Sequence, residues 1–140
     1  MAKYSPNLPC PCGSGQKYKK CCARYHKGAL PANALLLMKS HYSAYAVGNS
    51  DYIIKTTHPD NPDYTDDRKT WKASINRFCR ETRFEGLKII EWSEVGSETF
   101  VIFNAALSGG EMIERSRFLN EQGSWLYVDG EMLTGSPSDS

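Results

Sequence analysis

Glu98-Thr99-Phe100-Val101-Ile102-Phe103-Asn104-Ala105-Ala106-Leu107 is followed by Ser108-Gly109-Gly110, and then by Glu111-Met112-Ile113-Glu114-Arg115-Ser116-Arg117-Phe118-Leu119-Asn120. Thr99 to Phe103 is an unbroken run of β-branched and aromatic residues, and the connection has the composition of a hairpin turn. Two antiparallel strands are therefore predicted. The pattern extends outward both ways. Gly86 to Val95 precedes the pair across Val95-Gly96-Ser97, and Ser124 to Val128 follows it across Glu121-Gln122-Gly123. Four successive strands with short connections predict a meander.

Upstream the period changes. Between Ala32 and Val47, Leu35, Met38, Tyr42 and Tyr45 recur at steps of three and four, the stripe of a helix that Gly48 ends. Pro31 suits the entry to that helix. Asp51 to Thr57 reads as a short second helix, stopped before Pro59, and His58 to Asp63 as a turn-rich loop. Asp66 or Asp67 can cap a third helix with the stripe Trp71, Ile75, Phe78 and Thr82. Cys79 lies on that stripe as an apolar thiol. Helices first and a meander afterwards predict an α+β fold.

The 140 residues are 40% apolar and 24% charged, the balance of a globular chain. The longest apolar run, Ala34 to Met38, is far short of the roughly 20 residues of a membrane span. Met1 to Pro6 contains no apolar signal core, so a cytoplasmic protein is expected. The net charge of +1 is unevenly distributed. Residues 1–28 hold six basic residues and no acidic one, whereas residues 29–140 hold 11 basic and 16 acidic residues.

The basic segment also holds four of the five cysteines, in Cys10-Pro11-Cys12-Gly13-Ser14-Gly15-Gln16-Lys17-Tyr18-Lys19-Lys20-Cys21-Cys22. A tetrahedral zinc–thiolate site has Zn–S near ~2.3 Å and sulfurs about 3.8 Å apart, a separation that neighbouring cysteines reach locally. Gly13-Ser14-Gly15 allows the chain to reverse and bring Cys21 and Cys22 back to the first pair. A disulfide within either pair is a small strained ring in a reducing compartment. A redox function and an iron–sulfur cluster are the alternatives, the usual spacings of the cluster being different. One structural zinc on Cys10, Cys12, Cys21 and Cys22 is the predicted cofactor, because four thiolates leave no open position for a substrate. It would order a segment with little apolar content of its own.

These residues resemble the SEC-C motif, the zinc tail of the bacterial preprotein translocase motor SecA. That resemblance implies protein contact, with an export chaperone or with ribosomes. The helix trio and sheet resemble the NTF2-like cone, whose sheet is curved. Lys39-Ser40-His41-Tyr42-Ser43-Ala44-Tyr45, Thr57-His58-Pro59, Arg115-Ser116-Arg117-Phe118 and Gly123-Ser124-Trp125-Leu126-Tyr127-Val128-Asp129-Gly130 are similar to the YchJ family of bacteria. The family joins an N-terminal SEC-C motif to an NTF2-like domain. The expected organisation is a zinc knuckle over residues 1–28, an NTF2-like α+β domain over 29–133 and a disordered tail over 134–140. Some members of the family carry a second SEC-C motif at the C-terminus, and residues 80–140 contain no cysteine.

Two functions follow as expectations. In the first, the knuckle is an adaptor that presents Lys17, Tyr18, Lys19, Lys20, Arg24 and Tyr25 to an acidic protein partner, a chaperone or a ribosomal surface. RNA is the least favoured partner, because the acidic remainder repels phosphate. In the second, the cone binds or transforms a small molecule, like isomerases and dehydratases of this fold, with the knuckle as an accessory. Its pocket candidates are His58, Trp71, Trp92, Arg115, Arg117 and Trp125, joined by His41, Tyr45 and Asp129. Arg115 and Arg117 share one strand face, where they can hold an anion or pair with Glu91 and other acids across the sheet. No nucleophile, base and orienting group can be named together from the sequence. A monomer and a dimer through the convex sheet face are both admissible.

Overall fold

In a computed structural model of the protein, residues 4–134 are described. Four antiparallel strands follow one another in space as in sequence: β1 (Phe84–Val95), β2 (Glu98–Leu107), β3 (Gly110–Glu121) and β4 (Ser124–Thr134). Short connections leave each strand only its sequence neighbour to pair with, so the meander is the simplest closure. β2 shows the two-residue period, with Thr99, Val101, Phe103, Ala105 and Leu107 buried and the residues between them half-buried. Register shifts at Phe84/Gly86 and Ile89/Glu91 in β1, and at Ile113/Glu114 and Arg117/Phe118 between β3 and β4, bend the sheet.

The helical layer is α1 (Ala23–His26), α2 (Ala34–Val47), α3 (Ser50–Lys55) and α4 (Arg68–Glu81). Asn33 caps α2 by accepting the Leu36 N–H at 2.9 Å, and Asp67 caps α4 by accepting the Thr70 N–H at 3.1 Å. Gly48, at φ 78°, ends α2, and the Asn49 N–H closes the turn on the Ala44 carbonyl at 2.7 Å. Leu37, Met38 and Tyr42 of α2 pack on Val101, Phe103, Phe118 and Trp125 of the sheet. Ala44 faces the other way, into a second cluster with Tyr52, Ile53, Trp71 and Ile75 of α3 and α4. α2 is thus enclosed, and Ser40, His41 and Ser43 are buried with its apolar residues.

Several boundaries differ from the sequence expectation. Between Gln16 and Lys27 the chain forms a 3-10 turn (Tyr18–Lys20) and then α1, separated at Cys21, whose backbone (φ −126°, ψ −112°) leaves the helical region. α3 stops at Lys55 rather than Thr57. The Thr56 and Thr57 hydroxyls bond back to the Tyr52 and Ile53 carbonyls at 2.7 and 2.6 Å. The backbone beyond them pairs with β4: the His58 N–H donates to the Tyr127 carbonyl, and the Tyr127 N–H to the Thr56 carbonyl, each at 2.8 Å. β4 continues past Val128 to Thr134, where a tail was expected to begin. The rest of that expected tail, residues 135–140, lies outside the described residues. Among the described residues no helix is long and apolar enough to cross a membrane.

Candidate functional site

The four N-terminal cysteines converge. Their sulfurs all lie within 4.8 Å of one another, a cluster that could hold a metal ion. The first pair is set in a small hairpin: the Cys10 N–H donates to the Gln16 carbonyl at 2.8 Å, the Gly13 N–H to the Cys10 carbonyl at 3.1 Å, and Pro9 bridges Lys17. Gly13 and Gly15 sit at φ 85° and 86°, where a side chain strains the backbone. Cys12 and Cys21 are 3.6 Å apart, and the Ser14 hydroxyl lies 3.1 Å from Cys21. Hydrogen bonds from Cys12 and Cys22 hold the Cys10 thiol far below its ordinary pKa, while donation to Cys10 pushes Cys12 up to about 11 and Cys22 higher. Four sulfurs this close ionise together only around a cation. The spacing fits a tetrahedral thiolate site.

The cluster is docked on the cone. Cys10 Sγ lies 3.6 Å from the Ser43 hydroxyl of α2. The His26 Nε2–H donates to the Ser40 carbonyl at 2.8 Å, so Nδ1 accepts the Tyr18 hydroxyl at 2.5 Å. His26 also packs on Tyr52, ring centroids 4.6 Å apart. Tyr18, expected on the contact surface, is instead half-buried and turned inward against His26. Tyr25 is half-buried against the second core cluster. Lys17, Lys19, Lys20 and Arg24 are exposed.

A cavity of about 200 Å³ opens between α2 and the helix-covered face of the sheet. Its walls include Tyr42, Tyr45, Phe84, Phe103, Phe118 and Tyr127, and Glu114 is the one charged residue among the residues lining it. Ser116 and Tyr127 hydroxyls both donate to Glu114 Oε2, at 2.5 and 3.2 Å. Burial raises the Glu114 pKa, and these two hydrogen bonds oppose the rise. The carboxyl lies over Gly130, where a Cβ would overlap it and stand 2.7 Å from the Tyr127 oxygen. His41 is buried beside Tyr127, ring centroids 5.3 Å apart. The Thr56 hydroxyl spends its proton on the Tyr52 carbonyl at 2.7 Å, so it accepts the His41 Nδ1–H at 2.9 Å. Nε2 is left as a lone pair.

Of the residues proposed for the pocket, His41 and Tyr45 line this cavity. The others lie elsewhere, each for a local reason. Trp71 is packed between α3 and α4 beside Tyr64. Trp125 fills the core cluster beneath α2. His58 is fixed at the edge of β4, accepting the Asp60 N–H at 3.0 Å and meeting Glu121 at 3.3 Å. Trp92 and Arg115 lie on the outer sheet face, Trp92 half exposed and Arg115 4.1 Å over the Phe100 ring. Arg117 pairs across strands with Glu98 at 2.5 Å and with Asp129 at 3.6 Å, so its acidic partners are these two rather than Glu91. Glu114, Ser116, Tyr127 and Gly130 were not among the pocket candidates of the sequence. For Glu114 and Ser116 the signal was parity, since residues one step from the outward Arg115 and Arg117 point to the helices.

The profile of the YchJ middle NTF2-like domain matches residues 33–130, and that of the SEC-C motif matches residues 7–24. A UPF0225 protein of Streptomyces coelicolor is 36% identical over 129 residues, covering 91% of this chain and 98% of its own. The solution structure of a SEC-C motif containing protein from Rhodopseudomonas palustris superposes with a TM-score of 0.75 at 33% identity, over 91% of this chain and 100% of that one. The crystal structure of a SEC-C motif containing protein from Psychrobacter arcticus gives 0.73 at 27% identity, over 96% and 86%.

His41 makes the fold sensitive to acid. Desolvation lowers its pKa from 6.5 to about 4 in the folded chain. The unfolded chain therefore takes up this proton first, so the contribution is complete above pH 6.5 and is lost as pH falls toward 4. Between pH 7 and pH 5 the loss amounts to about 2 kcal/mol. Urea unfolding of the wild type and His41→Gln at both pH values checks this, and a wild-type loss no larger than the variant's refutes it.

Proposed function

The chain belongs to the YchJ family, a SEC-C motif joined to an NTF2-like domain, and on that footing we propose that it is a small-molecule-binding cone held closed by a structural zinc knuckle. The observation that carries the reading is the cavity. A sheet packed solid against α2 would leave no room for a ligand, whereas about 200 Å³ stands open with one hydrogen-bonded carboxyl in an aromatic wall. An engineered cavity of ~150 Å³ admits benzene, so this one is large enough for a molecule somewhat bigger.

Cys10, Cys12, Cys21 and Cys22 would hold the zinc, whose part is to fix the knuckle rather than to react. Through Ser43 and His26 the fixed knuckle presses on the outer side of α2, whose opposite side carries Met38, His41 and Tyr42 into the cavity. A reducing compartment, the cytoplasm, keeps the four thiols available for the metal. Glu114 and His41 are the two groups in the cavity able to exchange a proton with a ligand.

The adaptor reading stands second. It is favoured by the exposed ridge of Lys17, Lys19, Lys20 and Arg24, none of which forms an ion pair among the described residues. An acidic protein surface is its natural complement.

Benzene titrated into the protein should shift the methyl resonances of Met38, Ala105 and Met112 at the cavity, and leave Ile53 in the second cluster unmoved. Unshifted cavity methyls at saturating benzene would reject the binding reading. Protein purified without chelator should contain about one zinc per chain. Metal-free protein that keeps the wild-type chemical shifts of Ser40 and Ser43 would show that the knuckle holds α2 without zinc. Ribosome co-sedimentation tests the second reading: Lys19→Glu/Lys20→Glu should stay in the supernatant, and equal sedimentation with the wild type excludes the ridge as the contact.

A further inference from the structure

The ligand class can be taken further, on the reading that the cavity binds a small molecule. Three features select among candidates. No lysine or arginine is among the lining residues, and the charge present is the Glu114 carboxyl. The neighbouring arginines are committed elsewhere, Arg117 to Glu98 and Asp129 and Arg115 to the outer face over Phe100. An anionic ligand would therefore enter beside a carboxylate with no counter-charge.

The hydrogen bonding points the same way. Both hydroxyl donors converge on Glu114 Oε2, and Oε1 has no partner among the described residues. His41 Nε2 is likewise a lone pair without a partner among them. The open acceptors are thus Glu114 Oε1 and His41 Nε2, for which a ligand must bring the donors, and the one lining hydroxyl without a partner among the described residues is that of Tyr45. The walls are aromatic, with Tyr42, Tyr45, Phe84, Phe103, Phe118 and Tyr127 turned to one space. Aromatic faces attract cations, most strongly where water is excluded.

A carboxylate inside an aromatic enclosure is costly alone and well satisfied by an ammonium group. Gly130 keeps the position clear for it, since any side chain there would displace the carboxyl. We propose that the cavity binds a small organic cation, a primary or substituted amine on an apolar body of about benzene's size, with its charged nitrogen at Glu114 and its body against the rings. A neutral alcohol of the same shape would bind through hydrogen bonds alone, and a carboxylate would be repelled.

Benzylamine, benzyl alcohol and benzoate form a series of nearly constant shape and changing charge. Titrated into the zinc-loaded wild type at pH 7.5 and followed by the cavity methyl resonances, benzylammonium should bind about tenfold more tightly than benzyl alcohol, and benzoate not at all. Glu114→Gln should bring the amine and the alcohol to similar affinities. Benzyl alcohol binding as well as the amine to the wild type would overturn the cation assignment while leaving the cavity a binding site. Entry of benzene with binding of none of the three probes would do the same. Failure of benzene and all three probes would overturn both.

Discussion

A helix covered on three sides must satisfy the polar groups it buries there from within the protein, and α2 is such a helix. The sheet covers Leu37, Met38 and Tyr42, α3 and α4 cover Ala44, and the knuckle covers Ser40 and Ser43. Unpaired polar groups in such a position cost on the order of 1–3 kcal/mol each. Each of these has a partner: Ser40 its Leu37 carbonyl and Tyr52, Ser43 the Cys10 sulfur, His41 the Thr56 hydroxyl. The cysteine cluster is therefore a third packing layer. Its closure gives Ser43 its partner and covers the Ser40 side of the helix, whereas His41 is satisfied from α3 on the cavity side.

The same enclosure explains what could be read from the sequence. The β2–β3 hairpin was legible because its alternation reports on two faces of unequal wetness. The α2 stripe was legible on the sheet side only. Ser40, His41 and Ser43 interrupt no apolar stripe, and nothing local says that the cysteine knuckle packs over Ser40 and Ser43. The cysteine quartet was legible because metal spacing is a local property, whereas the Tyr18–His26–Ser40 chain that docks it spans elements and left no pattern. Asp129-Gly130 looked like the end of a strand. It is a continuation, in which glycine makes room for Glu114 and Asp129 pairs with Arg117.

The pocket candidates show a related bias. Tryptophans and arginines draw attention in a sequence, yet Trp71 and Trp125 serve packing, and Arg115 and Arg117 lie on the outer face. The charged group that lines the cavity is the unremarkable Glu114, one residue before Arg115. Strand parity alone, applied to Glu114-Arg115-Ser116-Arg117, separates the inward carboxyl and hydroxyl from the outward guanidiniums. Whether that inward face is filled or hollow depends on how α2, α4 and the sheet bend meet, which no single stretch encodes.

The order of elements bears on how the chain is made. The knuckle closes within residues 10–22, and the strands pair with sequence neighbours, so both are local assemblies. The helical layer between them is not. Leu37 emerges from the ribosome roughly 90 residues before Trp125, which at about 5–20 residues per second leaves its apolar face uncovered for several seconds. During that interval the cysteine turn, and later the β1–β2 hairpin, can already form. A nascent chain of this architecture presents a closed cysteine turn trailing an unsatisfied helix, and β4 completes the surface on which α2 rests.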